Sequence, residues 1–279
     1  MIFWLASYPK SGNTLLRSIL ASYFFSENGN FDFNHLYKIG QFPSLKHFKD
    51  IGIESSNTEE IYSNIIKAQE FINKDSNQVK FFKTHSALAK INDNHFTDLK
   101  NTIGAIYVVR DPRNVVSSFA RHYQIDEDKA TNCLIDENFW NYKNDILPQT
   151  FLSSWAKNYF SWKQLGSKCM LIKYEDLIEN KRRVLIKIFK FFDSLGLKIN
   201  LDMQKLNKAI KSTEFEKMKS LEKKKTFRES MIDNKTGERI PFFNLGPQNT
   251  WKKYLSKDNR EKIEKNFRKE MLELGYSLD

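Results

Sequence analysis

The chain is poor in the residues that staple, hinge or span. Its two cysteines, Cys133 and Cys169, stand in unrelated contexts without metal-ligand spacing, which excludes a disulfide scaffold or a zinc module and suits a reduced compartment. Ten glycines and six prolines among 279 residues form no linker-like cluster, and no repeat or low-complexity tract appears. One domain over residues 1–279 is the economical reading. No apolar stretch approaches the roughly 20 residues that a bilayer-crossing helix needs. The first apolar run, residues 2–8, is only a strand long and leads straight into a polar loop, leaving no room for a signal peptide; a soluble, cytoplasmic protein is expected. Acidic residues are also in deficit, 34 against 45 basic, for a formal charge of +11. Basic clusters at Lys181-Arg182-Arg183 and around Lys217 to Lys225 attract anions. No nucleic-acid-binding motif accompanies them, so solvated helix faces are the favoured reading and nucleic acid is not an expected partner.

What is present is an alternation of strands and helices. Strand-like runs at 2–8, 79–83, 103–109 and 168–173 are interleaved with helical patterns at 14–25, 58–72, 112–123, 151–165, 181–194 and 257–274. This predicts an α/β fold, a single domain with a central parallel β-sheet flanked by helices. Ligands of such sheets bind at the carboxyl ends of the strands.

Three strand ends carry chemistry. After the first strand comes Pro9-Lys10-Ser11-Gly12-Asn13-Thr14, a P-loop-like turn whose glycine lets backbone N–H groups close around an anion at a helix N-terminus, with Lys10 adding a mobile full charge. The Walker A spacing is absent because the lysine precedes the only glycine, which disfavours a kinase or ATPase. A plain turn in which Ser11 or Asn13 caps the helix is the alternative. After the third strand, Arg110-Asp-Pro-Arg-Asn-Val-Val-Ser-Ser118 places an arginine before a helix and a serine just over two turns along it, a pair suited to a phosphate monoester. The alternative is an Arg110–Asp111 surface pair with Ser118 in solvent. After the second strand stands Lys83-Thr84-His85. The other histidines, His35, His47, His95 and His122, read by default as structural or solvated.

Together these segments resemble the PAPS-dependent sulfotransferases, which use 3′-phosphoadenosine 5′-phosphosulfate (PAPS) as donor and release PAP. Ser7 to Thr14 is similar to their 5′-phosphosulfate loop, Arg110 with Ser118 to their 3′-phosphate site, and Lys83-Thr84-His85 to their catalytic motif, with Ala87 where a proline often stands. The resemblance implies that Lys10, Ser11, Gly12, Asn13 and Thr14 bind the donor with Arg110 and Ser118. It implies that His85 is the general base, that Lys10 and Lys83 stabilise developing charge, and that Ser118 restrains Lys10 until the acceptor binds. No metal is implied.

Downstream, Tyr174-Glu175-Asp176 resembles the motif whose tyrosine reaches the adenine side, and Thr213 and Phe215 resemble the residues packed around adenine. Spacing alone favours an ordinary amphipathic helix for Phe215 and Met218. Gly246 ends the remnant of a final motif in which Asn244-Leu245 replaces an Arg-Lys pair before Trp251, and Leu15 stands where relatives carry a stacking tryptophan. Arg228, Lys235 and Arg239 are the candidates to substitute. Lys252 to Glu261 partly resembles a dimer motif, but Ser256-Lys257 replaces its apolar centre and leaves the oligomeric state open.

The expected activity is sulfuryl transfer from PAPS to a hydroxyl or amine of a small-molecule or carbohydrate acceptor. The segments 31–53 and 126–148 are candidates to line the acceptor entrance. A catalytically inactive nucleotide-binding protein of the same fold is the alternative, and a P-loop-like kinase a more remote one.

Overall fold

The structure is a computed structural model and describes residues 1–74, 78–233 and 236–278. Four parallel strands form the central sheet: β1 (Ile2–Ser7), β2 (Lys80–Thr84), β3 (Thr102–Val109) and β4 (Cys169–Lys173), in the spatial order β2-β1-β3-β4. Every residue of β1 is buried, as expected of a central strand covered on both faces. Its alternating side chains divide two cores. Ile2, Trp4 and Ala6 join one cluster with Tyr8, Phe42, Tyr107 and Trp162; Phe3 and Leu5 join another with Leu16, Ile106, Leu185 and Phe192.

The longer helices are α1 (Asn13–Phe25), α2 (Ile65–Lys74), α3 (Pro112–Tyr123), α4 (Glu127–Ile135), α5 (Trp155–Lys163), α6 (Lys181–Ser194), α7 (Met203–Ser212), α8 (Phe215–Lys224) and α9 (Lys257–Glu273). Helix α3 starts where expected because Pro112 supplies a preset φ at its first turn and Asp111 accepts from the Arg113 N–H. Two expectations shift. The pattern at 58–72 divides into a short helix, Thr58–Ser63, and α2, with Asn64 between them out of helical geometry. The pattern at 151–165 becomes helical only at Trp155, because Ser153 has a positive φ of 59° and Ser154 caps the helix by accepting from the Lys157 N–H. Helix α4 lies within the polar stretch 126–148, where apolar periodicity was too weak to mark it.

Because β2 and β3 lie on opposite sides of β1, the connections leaving β1 and β3 diverge at its carboxyl end, the topological switch point of the sheet. The ends of β1, β2 and β3 therefore converge there. Among the described residues, no helix is long and apolar enough to cross a membrane. In the dimer-like stretch, Ser256 caps α9 and Lys257 is exposed, paired within its own helix to Glu261 at 3.7 Å.

Candidate active site

The turn after β1 is built from positive-φ backbone, Lys10 at 66° and Gly12 at 98°. Only glycine fits at Gly12, since a Cβ there would lie 2.2 Å from Tyr174 Cδ2. Helix α1 follows at once. Gly12 is its N-cap, with no side-chain cap hydrogen bond. Asn13 does not cap either: its Nδ2 donates to Leu5 O at 2.8 Å and to Ser7 Oγ at 3.3 Å, stitching the helix start to the strand. The Ser11 hydroxyl is buried and finds no hydrogen-bond partner in the protein. The turn thus leaves a hydroxyl without a protein partner beside the positive helix end, an arrangement suited to an anion.

Arg110 leaves β3 beside this turn. Its Nη1 donates to Lys10 O at 3.2 Å, and its guanidinium lies 4.5 Å from the centroid of the Tyr174 ring. Its Nε is buried without a partner. Asp111 pairs with Arg113 instead, at 2.8 Å between Oδ2 and Nη2, so the Arg110–Asp111 surface pair does not form. Arg113 in turn lies 4.0 Å from the Trp251 ring.

Lys83 and His85 complete the strand ends. His85 Nδ1 is 2.8 Å from Ser7 O. That contact requires the proton on Nδ1, so Nε2 keeps the lone pair that a base needs. Burial, with the Lys83 ammonium nearby, pushes the His85 imidazolium down to about 3; the ring is neutral at physiological pH. Asn158 Nδ2 fixes the His85 backbone through its carbonyl at 3.0 Å. Lys10 meets an aromatic ring of the cavity wall. Its Nζ sits 4.0 Å from the centroid of the Phe242 ring, and burial, together with Lys83 and Arg110, lowers its pKa to about 7.

These groups face one cavity of 1030 Å³, lined by Lys10, Gly12, Asn13, Thr14, Lys83, His85, Arg110, Ser118, Tyr174, Thr213, Phe215 and Gly246 among others. Ser11 lies just behind its wall. The Thr213 hydroxyl is committed to the end of α7, donating to Ala209 O at 2.7 Å. Phe215 rests on Gly246, where an added Cβ would meet the ring at 2.4 Å; Met218 is buried in a cluster with Phe33, Leu36 and Phe227, against which Phe215 packs, and both side chains also line the cavity. Leu15, Asn244 and Leu245 also line the cavity. Of the candidate substitutes for the missing basic pair, Arg228 is at the wall with its guanidinium 4.4 Å from the Tyr37 ring. Arg239 is not: it donates to Phe227 O at 3.1 Å. Lys235 lies outside the described residues. Both segments read as entrance candidates contribute, Tyr37 and Gln41 from one and Tyr142, Ile146 and Leu147 from the other.

The sequence did not point to Glu229. It lines the cavity and accepts a hydrogen bond from Lys83 Nζ at 3.2 Å, while Arg17, buried behind it on α1, binds its other oxygen. Burial opposes this charge, but Arg17 and Lys83 outweigh it and hold Glu229 well below the usual carboxylate range. His122, taken as structural by default, also lines the cavity; burial, with Lys10 and Lys83 nearby, takes it down to about 3. Lys181 reaches the same wall from the basic cluster assigned to solvent. Arg17 and Glu229 are 212 residues apart in sequence, so no local pattern links them. Among the described residues, no group of three or more His, Cys, Asp or Glu side chains is placed to hold a metal.

Residues 2–275 match the sulfotransferase domain family. The chain is 25% identical over 272 residues to sulfotransferase 1E1 of Rattus norvegicus, covering 95% of this chain and 81% of that protein. It is 23% identical to sulfotransferase 1A1 of the same organism, covering 98% and 86%. In fold it is similar to mouse sulfotransferase SULT7A1 complexed with PAP, with a TM-score of 0.58 at 17% identity over 97% of this chain and 83% of that one. A retinol dehydratase in a complex with retinol and PAP aligns with a TM-score of 0.60 at 18% identity, covering 97% and 81%.

Proposed function

The chain belongs to the sulfotransferase family, and from that premise we propose that it transfers a sulfuryl group from PAPS to a hydroxyl or amine, with His85 as general base. The observation that carries this reading is the convergence of three strand ends on one cavity: the Lys10–Gly12 turn, the Lys83–His85 pair and Arg110 with Ser118. The unpartnered Ser11 hydroxyl and Arg110 Nε are donors suited to phosphate oxygens. The solved relatives contain PAP, the product such a donor leaves.

In this reading, Arg110 and Ser118 hold the 3′-phosphate, and the turn with Lys10 holds the 5′-phosphate. Tyr174 and Phe215 flank the base. The acceptor enters between Tyr37 and the 142–147 segment. His85 Nε2 takes the acceptor proton as the acceptor oxygen or nitrogen bonds to sulfur. The bond from sulfur to the bridging phosphate oxygen breaks, and its electron pair stays on that oxygen beside Lys10. Binding measured by calorimetry for PAP, AMP, ADP and ATP tests the donor, with PAP expected to bind selectively. Transfer from PAPS to a panel of phenols, aliphatic alcohols, amines and sugars tests the activity; selective PAP binding with no transfer to any class would favour the inactive nucleotide-binding alternative.

A further inference from the structure

Glu229 poses a problem that the proposed chemistry does not absorb. A site meant to hold a polyanionic donor carries a carboxylate among its cations. Glu229 belongs to the stretch between α8 and the short strand Met231–Ile232, part of the 225–249 segment that forms one wall of the cavity. Its oxygens are divided between Arg17 from α1 and Lys83 from the end of β2. Arg17 is 2% exposed and does not line the cavity, so it serves as a fixed anchor behind the carboxylate.

We propose that Glu229 is a positioning residue, clamped by Arg17, that keeps the Lys83 ammonium charged at the cavity wall. The inference rests on the donor-site reading for the role of Lys83. It does not rest on that reading for the ion pair itself.

Lys83 is 9% exposed on its side chain. The titratable and charged groups that bear on the Glu229–Lys83 pair come from four elements: Arg17 from α1, Lys10 from the turn after β1, the neutral His85 from the end of β2, and the neutral His122 from α3, with Arg110 and Arg121 acting on Lys10. Glu229 is the acidic member. Burial lowers the Lys83 proton affinity and Arg17 lowers it further, while Glu229 acts to restore it. Glu229 acts in the same direction on Lys10, against burial and Lys83. A neutral amine at either position keeps a donor N–H but loses the charge that an anionic donor needs.

The test is competitive labelling of wild type, Glu229→Gln and Glu229→Asp with acetic anhydride from pH 6 to 10, read at each lysine by mass spectrometry, beside calorimetric PAP binding over the same range. An opposite charge at this distance supports a lysine pKa by about 1–3 units. In Glu229→Gln, the Lys83 titration should therefore move down by about that much, and Lys10 by less. PAP binding by this variant should fall increasingly below that of wild type as pH rises from 6, since its lysines give up their charge at lower pH. Glu229→Asp should keep most of the wild-type titration. An unmoved Lys83 titration overturns the proposal, as does a loss of PAP affinity that is equal at every pH. A Glu229→Gln chain with no cooperative melt assigns the residue to folding and also overturns it. Failure of wild type to bind PAP at any pH would sink the donor reading alone, since the labelling titrations report the lysines without nucleotide.

Discussion

Two regions of the molecule build the site by different means. The strand ends place Lys10, His85 and Arg110 through backbone: positive φ at Lys10 and Gly12, the Ser7 carbonyl against His85 Nδ1, and the Lys10 carbonyl under Arg110. Among its described residues, the 225–249 segment has as regular structure the two-residue strands Met231–Ile232 and Arg239–Ile240 and a single 3-10 turn, Gly246–Gln248. It reaches the site through side chains instead: Phe227 stacked on Phe33 at 4.7 Å between centroids, Phe242 under Lys10, and Glu229 between two cations. Backbone placement is rigid and local in sequence. Side-chain placement is long-range, and it lets one segment alter the charge of the groups it covers.

The largest expected effect lies on the strand-end side. His85→Ala should lower turnover by about 10²–10⁴ with an acceptor of high pKa, while PAP affinity changes little. Steady-state rates with an aliphatic alcohol acceptor and calorimetry with PAP check both halves. A normal rate would remove His85 as the base and break the division between the two regions.

Next in size is Arg110→Ala. Charge-assisted hydrogen bonds contribute roughly 1.5–3 kcal/mol each, so the preference for PAP over 5′-AMP should fall by at least about tenfold, with AMP affinity nearly unchanged. Parallel losses for both nucleotides would place the arginine at the turn, where its Nη1 already touches Lys10 O, rather than at a 3′-phosphate.

The pH dependence sharpens the comparison, because Glu229 of the covering segment bears on groups that the strand ends bury. Lys10, lowered to about 7, must be protonated to attract phosphate. Its contribution to PAP binding is full below that value and fades as pH rises through it. PAP affinity should therefore decline by up to about tenfold per pH unit above neutrality. His85, at about 3 without nucleotide, remains a free base well into mild acid, so its protonation should not limit activity between pH 5 and 7. Calorimetry and rates measured from pH 5 to 9 follow the two groups separately.

The sequence made the strand-end region legible because strand, loop and helix follow one another there, so Lys10 to Thr14, Lys83 to His85 and Arg110 to Ser118 each announce themselves within a few residues. The four parallel strands followed from the same alternation, whereas their spatial order came only with the structure. The covering segment was not legible. Arg17 looks like an ordinary polar residue on α1, and Glu229 like any acidic loop residue, until folding joins them across 212 positions. The contact of Lys10 with the Phe242 ring was not legible either. Arg239 was a candidate for the site by proximity in sequence, yet its guanidinium donates to the Phe227 carbonyl.

The smallest expected effect is a gain. Leu15 lines the cavity, and Leu15→Trp should tighten PAP binding a few-fold, since a stacked aromatic pair contributes about 0.5–1.5 kcal/mol. Unchanged affinity, measured by calorimetry, would mean that Tyr174 and Phe215 already fill that side.

The central claim, that the three strand ends form a donor site for a nucleotide bearing a 3′-phosphate, is tested most directly by calorimetric titration of the wild-type chain with PAP and with 5′-AMP at pH 6.5. The account predicts that PAP binds at least about tenfold more tightly, the contribution of Arg110 and Ser118; equal affinities for the two nucleotides would contradict it.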